Sequence, residues 1–279
     1  MSQASAVRPL PSPALLAELE TFIQALDAAA GEVTLPLFRS GLSMANKASV
    51  DAAFDPVTAA DHGAEAAIRK LISQRFPEHG VIGEEYGEDR PDAEFVWVLD
   101  PVDGTRAFVA GLPLWAHLIG LRFQGEPLLG VIGQPYLKEV FLGSPTGSRL
   151  IRPDGVRPLQ VRPCARLTEA TLAATDPAAY FTGAEIGAWN QVRAASRIVR
   201  LGGDSYIFAL LAMGTIDLVL ESQLKVWDID PIIPVIENAG GLVCDWRGAR
   251  LGRHGGQVVA AGDRRCLDEA LVSLKRSAS

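Results

Sequence analysis

Six consecutive residues, Asp100-Pro101-Val102-Asp103-Gly104-Thr105, place two carboxylates and a glycine turn at the end of an apolar run, Phe95 to Leu99. The run reads as a strand that delivers those acids to one point. Gly83-Glu84-Glu85 closes another short apolar segment, and Trp227-Asp228 sets a further carboxylate at the start of a helix. Converging oxygens of this kind hold hard divalent cations, which act on phosphate groups. Pro101-Val102 is expected to turn the chain out of the strand, so that both aspartates and the Val102 carbonyl point inward and two metals share them. Gly104 permits close backbone approach, and the amides of Gly104 and Thr105, opening a short helix, suit phosphate oxygens. The competing reading is a plain turn, because Asp, Pro and Gly all favour turns. Asp61, Glu84 and Asp228 weigh against it, each standing at the edge of an element where a structural acid is not needed.

The pattern of apolar residues supplies the elements that must position these side chains. Leu15, Leu16, Leu19, Phe22, Ile23 and Leu26 predict a helix over 14–31, and Ala64, Ala67, Ile68, Leu71 and Ile72 another, from Thr58-x-x-Asp61 to Phe76-Pro77. Short apolar runs at 81–82, 95–99, 118–123, 128–132 and 140–142, separated by Gly and Pro, predict neighbouring strands. The turn-rich stretches 144–148 and 152–155 place a division near residue 150, between a half 1–150 carrying most of the acids and a half 151–279. In the second half, strands are expected at 170–174, 197–201, 216–221 and 242–245, with helices at 183–195, 205–213 and 231–239. Helices alternating with strands mean a layered α/β architecture.

The 279 residues can bury a sizeable core unaided, and 48% hydrophobic with 21% charged residues describes a soluble globular chain. A net charge of −7 argues against nucleic acid as the partner and for a small solute. Cys164, Cys244 and Cys266 are odd in number and lack metal spacing, which points to a reducing compartment. No secretory leader is read in 1–13 and no window is apolar enough to span a bilayer, so the expected place is the cytoplasm.

Three blocks, Asp55-Pro56-Val57-Thr58-Ala59-Ala60-Asp61, Gly83-Glu84-Glu85 and Trp97-Val98-Leu99 running into Asp100–Thr105, are joined by Trp227-Asp228 and Gly240-Gly241. In order and spacing they resemble the inositol monophosphatase family over nearly the whole chain. The resemblance implies an αβαβα sandwich of the inositol monophosphatase / fructose-1,6-bisphosphatase type and Mg²⁺-dependent hydrolysis of a phosphate monoester. It also implies two or three ions per site and a homodimer. Glu84, Asp100 and the Val102 carbonyl would hold one Mg²⁺; Asp100, Asp103 and Asp228 would hold a second, and a weaker third would also touch Glu84. Asp61 would pair with Thr105 to orient and deprotonate the attacking water, so no histidine base is needed. Asp61 also has the alternative of capping its helix, and Glu85 is left outside the ligand set.

Substrate choice is expected to rest on Glu221 and Asp204. Glu221 falls where the family presents a carboxylate to the substrate; Asp204 falls where inositol-preferring members have a small apolar residue. Two acids favour a cation, and histidinol phosphate carries an ammonium and an imidazole. Asp103-Gly104-Thr105-Arg106-Ala107-Phe108 and Leu224-Lys225 resemble the histidinol-phosphatase branch, which implies a place in histidine biosynthesis. Asp204 could instead cap the helix that follows, and Arg106 could be a solvated surface residue rather than a phosphate ligand. Asp230-Pro231 and Ala107 depart from the family pattern and reshape the pocket. Inositol monophosphate, another sugar phosphate or a nucleotide phosphate remains the alternative substrate, and a non-catalytic regulatory protein that kept the metal shell is the alternative of another class. Gly203-Asp204-Ser205-Tyr206 lacks the second glycine of a nucleophile elbow, and His62, His79, His117 and His254 show no metal spacing.

Overall fold

The computed structural model describes residues 10–40, 59–252 and 255–278, with the backbone of 45–46 and 56–57. Asp55, Thr58 and His254, all weighed above, lie outside the described residues. In chain order the elements begin with α1 (Pro13–Leu37), β1 (Ala45–Asn46), β2 (Pro56–Val57), α2 (Ala59–Arg75), β3 (Gly80–Gly83), β4 (Gly87–Asp89), β5 (Phe95–Asp103) and α3 (Thr105–Ala110). There follow β6 (Ala116–Phe123), β7 (Glu126–Gln134), β8 (Glu139–Ser144), β9 (Gly147–Arg152), β10 (Gly155–Pro158), β11 (Thr171–Ala174), α4 (Pro177–Tyr180) and α5 (Gly183–Ala195). The last stretch holds β12 (Ile198–Leu201), α6 (Tyr206–Ala212), β13 (Leu218–Leu224), α7 (Val226–Ile229), α8 (Ile232–Glu237), β14 (Leu242–Cys244), β15 (Gly256–Ala261) and α9 (Arg264–Leu274).

Among the described residues the strands form a two-stranded pair, β1-β2, and two larger sheets. The first runs β10-β9-β8-β7-β6-β5-β3-β4, antiparallel except where β3 meets β5; the second runs β12-β11-β13-β15-β14. Apolar burial stacks them. Leu19, Ile23 and Leu26 of α1 and Ile68 and Ile72 of α2 cover Trp97, Leu99, Ile119 and Val131 on one face of the large sheet. Its opposite face, through Leu118, Ile132 and Phe141, shares a core with Phe208 and Leu211 of α6, Val235 of α8, and Val219 and Val258 of the small sheet. The far side of the small sheet buries Leu172, Leu218 and Val259 under Trp189 and Val192 of α5 and Leu267 and Leu271 of α9. Five layers result, helix, sheet, helix, sheet, helix, each apolar face finding a partner.

Glycine sets how closely the middle layer approaches. A Cβ on Gly130 would stand 1.9 Å from the Pro231 carbonyl oxygen, and one on Gly143 would stand 2.2 Å from the Pro234 carbonyl carbon. The start of α8 thus rests directly on the backbone of the large sheet.

Several expectations need correction. α1 does not stop at Gly31 but runs to Leu37, since one helical glycine costs only about 1 kcal/mol and Thr34 and Phe38 gain burial beyond it. Residue 150 lies inside β9, and the chain leaves the large sheet only after Pro158. The turns at 144–148 and 152–155 are hairpin connections, not a seam. β15 and α9 were not anticipated. β5 does not end at Leu99 and β13 does not end at Glu221, and both extensions shape the site.

Two histidines and three tryptophans serve packing. His79 accepts from Trp97 Nε1 at 3.1 Å between Phe76 and Phe95, where burial pushes its pKa down to about 4. His117 is fully buried, 2.8 Å from Asp27 and 3.0 Å from Thr34. Trp97, Trp115 and Trp246 have no exposed surface.

Candidate active site

β5 brings Asp100 and Asp103 to the same side by a bulge. In a regular strand, residues three apart face opposite ways. Here Asp100 pairs with Leu118 of β6 and Asp103 with Ala116, so three steps on β5 match two on β6. The extra residue turns both carboxylates to one side. The Val102 amide donates to Asp100 Oδ1 at 3.1 Å, which holds the kink. Gly104 follows at φ 82, in the left-handed region that glycine tolerates, and α3 begins.

Glu84 continues the register in which Gly83 of β3 pairs with Leu99: its amide donates to the Leu99 carbonyl at 3.1 Å, setting it beside Asp100. The turn carrying it is held from below by Glu65, which the sequence reading missed. Glu65 accepts from the Glu85 amide at 2.8 Å and the Tyr86 amide at 3.2 Å, and takes Arg69 Nε at 2.7 Å. Gly83 was the available signal, because a Cβ there would stand 2.1 Å from Glu65 Oε1.

Asp228 arrives from the other end of the chain on α7, and its Oδ2 accepts from the Lys225 amide at 2.6 Å. One carboxylate oxygen each from Asp100, Asp103 and Asp228 all lie within 4.8 Å of one another. Burial raises the Asp100 pKa well above the ordinary range, and the charges of Glu84, Asp103, Asp228 and Asp61 add to it. Asp228 is raised likewise, by burial and then by Asp103. Asp103 is raised by burial although the Ser205 amide, 2.6 Å from its Oδ2, pulls the other way. Mutually repelling, desolvated acids made only of oxygen donors fit a hard divalent cation, which would relieve both penalties.

Asp61 stands buried in the first turn of α2, near enough to act on Asp100. The Thr105 hydroxyl donates to the Val102 carbonyl at 3.1 Å. Thr105 stands on the cleft wall.

The acids open on a cleft of about 230 Å³. Of the residues singled out from sequence, Glu84, Asp100, Val102, Asp103, Gly104, Thr105, Arg106, Asp204, Glu221 and Asp228 line it; none of the described histidines does. Trp227 also borders it. Ser205, not Asp204, is the residue preceding α6, and no side chain caps that helix. Asp204, at φ 44, instead lies against Gly104, where a Cβ would come within 2.9 Å of its Oδ2. Burial, then the charge of Asp103, pushes the Asp204 pKa up to about 7, partly countered by Arg106. Glu221, 3% exposed, is pushed by burial to about 8 even though it accepts from the Thr175 amide at 2.6 Å. Sequence reasoning missed Thr175, Tyr180 and Gln223 on the same wall. Arg106 lies over the Tyr180 ring, 5.2 Å from its centre, so its exposed guanidinium is held at the cleft mouth.

An αβαβα sandwich with clustered acids beside a cleft of this kind defines a phosphoric monoester hydrolase. The chain belongs to the inositol monophosphatase family, whose model matches residues 15–278. It is similar to the "Bifunctional phosphatase IMPL2, chloroplastic" of Arabidopsis thaliana, 39% identical over 271 residues that cover 92% of this chain and 76% of the plant protein. A histidinol-phosphatase of Chlorobaculum parvum is 33% identical, covering 84% of this chain and 88% of its own. The solved structure of an inositol monophosphatase from Zymomonas mobilis superposes with a TM-score of 0.82 at 36% identity, covering 93% and 98% of the two chains.

Proposed function

We propose that this phosphatase hydrolyses histidinol phosphate to histidinol and phosphate, as a step of histidine biosynthesis, with Mg²⁺ as cofactor. One observation carries the substrate reading: the half-buried Asp204 and the buried Glu221 are acids on the cleft wall, both with raised pKa, where an uncharged polyol offers no compensating charge. An ammonium and an imidazole supply it. The resemblance to a histidinol-phosphatase supports the same substrate, and that to an inositol monophosphatase supports the rival one.

Glu84, Asp100, the Val102 carbonyl, Asp103 and Asp228 would hold two or three Mg²⁺ ions. When bound, the cations supply Lewis-acid activation and neutralise charge on the phosphoryl group and the leaving oxygen. Asp61 and Thr105 orient the attacking water, with Asp61 receiving its proton. The Gly104 and Thr105 amides and the Arg106 guanidinium face phosphate oxygens, while Asp204 and Glu221 hold the cationic end and fix the ester for in-line attack. We read the enzyme as a cytoplasmic homodimer, a state that light scattering measures directly. Among the described residues no helix is long and apolar enough to cross a membrane.

The test is a substrate panel read by phosphate release. Histidinol phosphate should be turned over with the highest kcat/KM, and Asp204→Ala should lower that value by about tenfold while changing inositol 1-phosphate turnover little. A preference for inositol 1-phosphate, or equal losses on both esters, overturns the substrate reading. Asp103→Asn should cut turnover of every ester at least about a hundredfold with an unchanged circular dichroism spectrum, and substantial residual turnover would refute the metal assignment.

A further inference from the structure

We propose that the buried ion pair between Arg122 of β6 and Asp230 positions the Asp228 carboxylate, and through it sets the affinity of the acidic cluster for divalent cations. The inference rests on the metal-binding reading of that cluster.

α7 is a single turn of four residues, Val226–Ile229; the Lys225 amide fixes the Asp228 carboxylate within the turn, but so short a helix does not fix its own place on the sheet. Its first residues are seated by apolar contact, Val226 and Trp227 packing against Ile82, Val96 and Val98. Such contact is non-directional and does not by itself define the turn's rotation on the sheet. The turn's far end is fixed differently. The Asp230 amide donates to the Val226 carbonyl at 3.0 Å, and the Asp230 carboxylate meets Arg122 Nε, both side chains being only 7% exposed. Pro231 then lies on the glycine-lined face of the sheet, its nitrogen 3.3 Å from where a Gly120 Cβ would stand.

Register explains why this fastening reaches the acids. Arg122, Gly120 and Leu118 alternate onto one face of β6, and they pair with Val96, Val98 and Asp100 of β5. The strand that anchors Asp230 is therefore the hydrogen-bonded neighbour of the strand that carries Asp100 and Asp103. Asp228, two residues before the anchor, is tied to the same rigid frame as its two partners.

Stability gives little reason for the pair. Two charges taken out of water carry a desolvation penalty, and apolar residues of similar size commonly serve at least as well. What the pair provides is one defined geometry. A guanidinium nitrogen and a carboxylate oxygen meet along a bond direction, whereas leucines would accept a range of offsets. Neither Arg122 nor Asp230 lines the cleft; they are positioning residues.

The experiment measures Mn²⁺ binding to the substrate-free full-length protein by electron paramagnetic resonance, beside Mg²⁺ activation of p-nitrophenyl phosphate hydrolysis. The variants are Arg122→Leu combined with Asp230→Leu, and Arg122→Lys alone. The double variant should keep a wild-type melting temperature within a few degrees, yet bind Mn²⁺ about tenfold more weakly and need correspondingly more Mg²⁺ for half-maximal activity. Its KM for the ester at saturating Mg²⁺ should not move. Arg122→Lys, which keeps the charge but not the fork, should fall between, and it carries the test alone should the double variant not fold. Wild-type Mn²⁺ affinity in a folded variant overturns the proposal. Failure of the wild-type protein itself to bind Mn²⁺ would instead remove the metal reading on which the proposal rests.

Discussion

Glu221 is a carboxyl whose pKa burial pushes from 4.5 to about 8, and Asp204 moves in the same direction, from 3.8 to about 7. A folded-state pKa above the unfolded one means that the native protein holds a proton the unfolded chain releases, so stability declines as pH rises through that window. The cost is absent below pH 4.5 and complete above about pH 8 for Glu221. Glutamine in its place keeps the oxygen that accepts from Thr175 and carries no charge. Metal-free Glu221→Gln is therefore expected to melt a few degrees above wild type at pH 9, with the advantage vanishing toward pH 5 in calorimetric scans. A constant difference across that range would mean that Glu221 is not ionised at the cost assigned to it. At this scale the sequence was most legible where chemistry demands a residue type: the acids of the cluster are grouped by motif, while the family resemblance singles out both wall acids. Thr175, Tyr180 and Glu65 were not legible. Thr175 contributes a backbone amide, which any residue but proline offers, and the other two act through a neighbour distant in the chain.

Glycine governs the packing of elements more sharply than any apolar residue does. Gly130→Ala would drive a methyl group into the Pro231 carbonyl, and neither backbone can yield without parting α8 from the sheet. That substitution should destabilise the protein by about 3 kcal/mol or abolish soluble expression. Gly187, exposed within α5 with no atom near its hypothetical Cβ, should do the opposite, Gly187→Ala adding about 0.5–1 kcal/mol in chemical denaturation. Helix α5 has the limits expected of it, 183–195, and α2, β6 and β7 lie within a few residues of theirs. Periodicity failed at element ends where tertiary contacts decide: β5 and β13 both run on as irregular strands because neighbouring strands still offer partners. The seam placed near residue 150 failed for a related reason, since tight hairpins and interdomain links use the same Gly, Ser and Pro. The amphipathic α9, with Leu267, Ala270, Leu271 and Leu274 on one face, was legible by helical spacing, and went unread.

Across the whole molecule the clustered acids come from separate parts of the stack: Asp100 and Asp103 from the large sheet, Asp228 from the turn that follows the small sheet's central strand. A cation that joins them ties the layers together. Saturating Mg²⁺ added to chelator-treated protein should raise the melting temperature by about 5 °C at pH 8, and by much less at pH 5, where the carboxyls hold protons that compete with the ion. An unchanged melting temperature at pH 8 would show that the acids meet without binding. The layered architecture itself was legible, because alternating helices and strands leave few ways to cover every apolar face.

The one-residue excess on β5 between Asp100 and Asp103 makes that loop a counting device. What evolution or an engineer must preserve there is the number of backbone steps, before the identity of the residues that fill them. Exchange of a side chain in the spacer leaves the bulge intact, whereas loss of a single residue would make β5 regular there, both aspartates still on one face but without the kink that the Val102 amide holds. Insertions and deletions across 100–103 should accordingly be scarcer than substitutions among functional descendants of this chain.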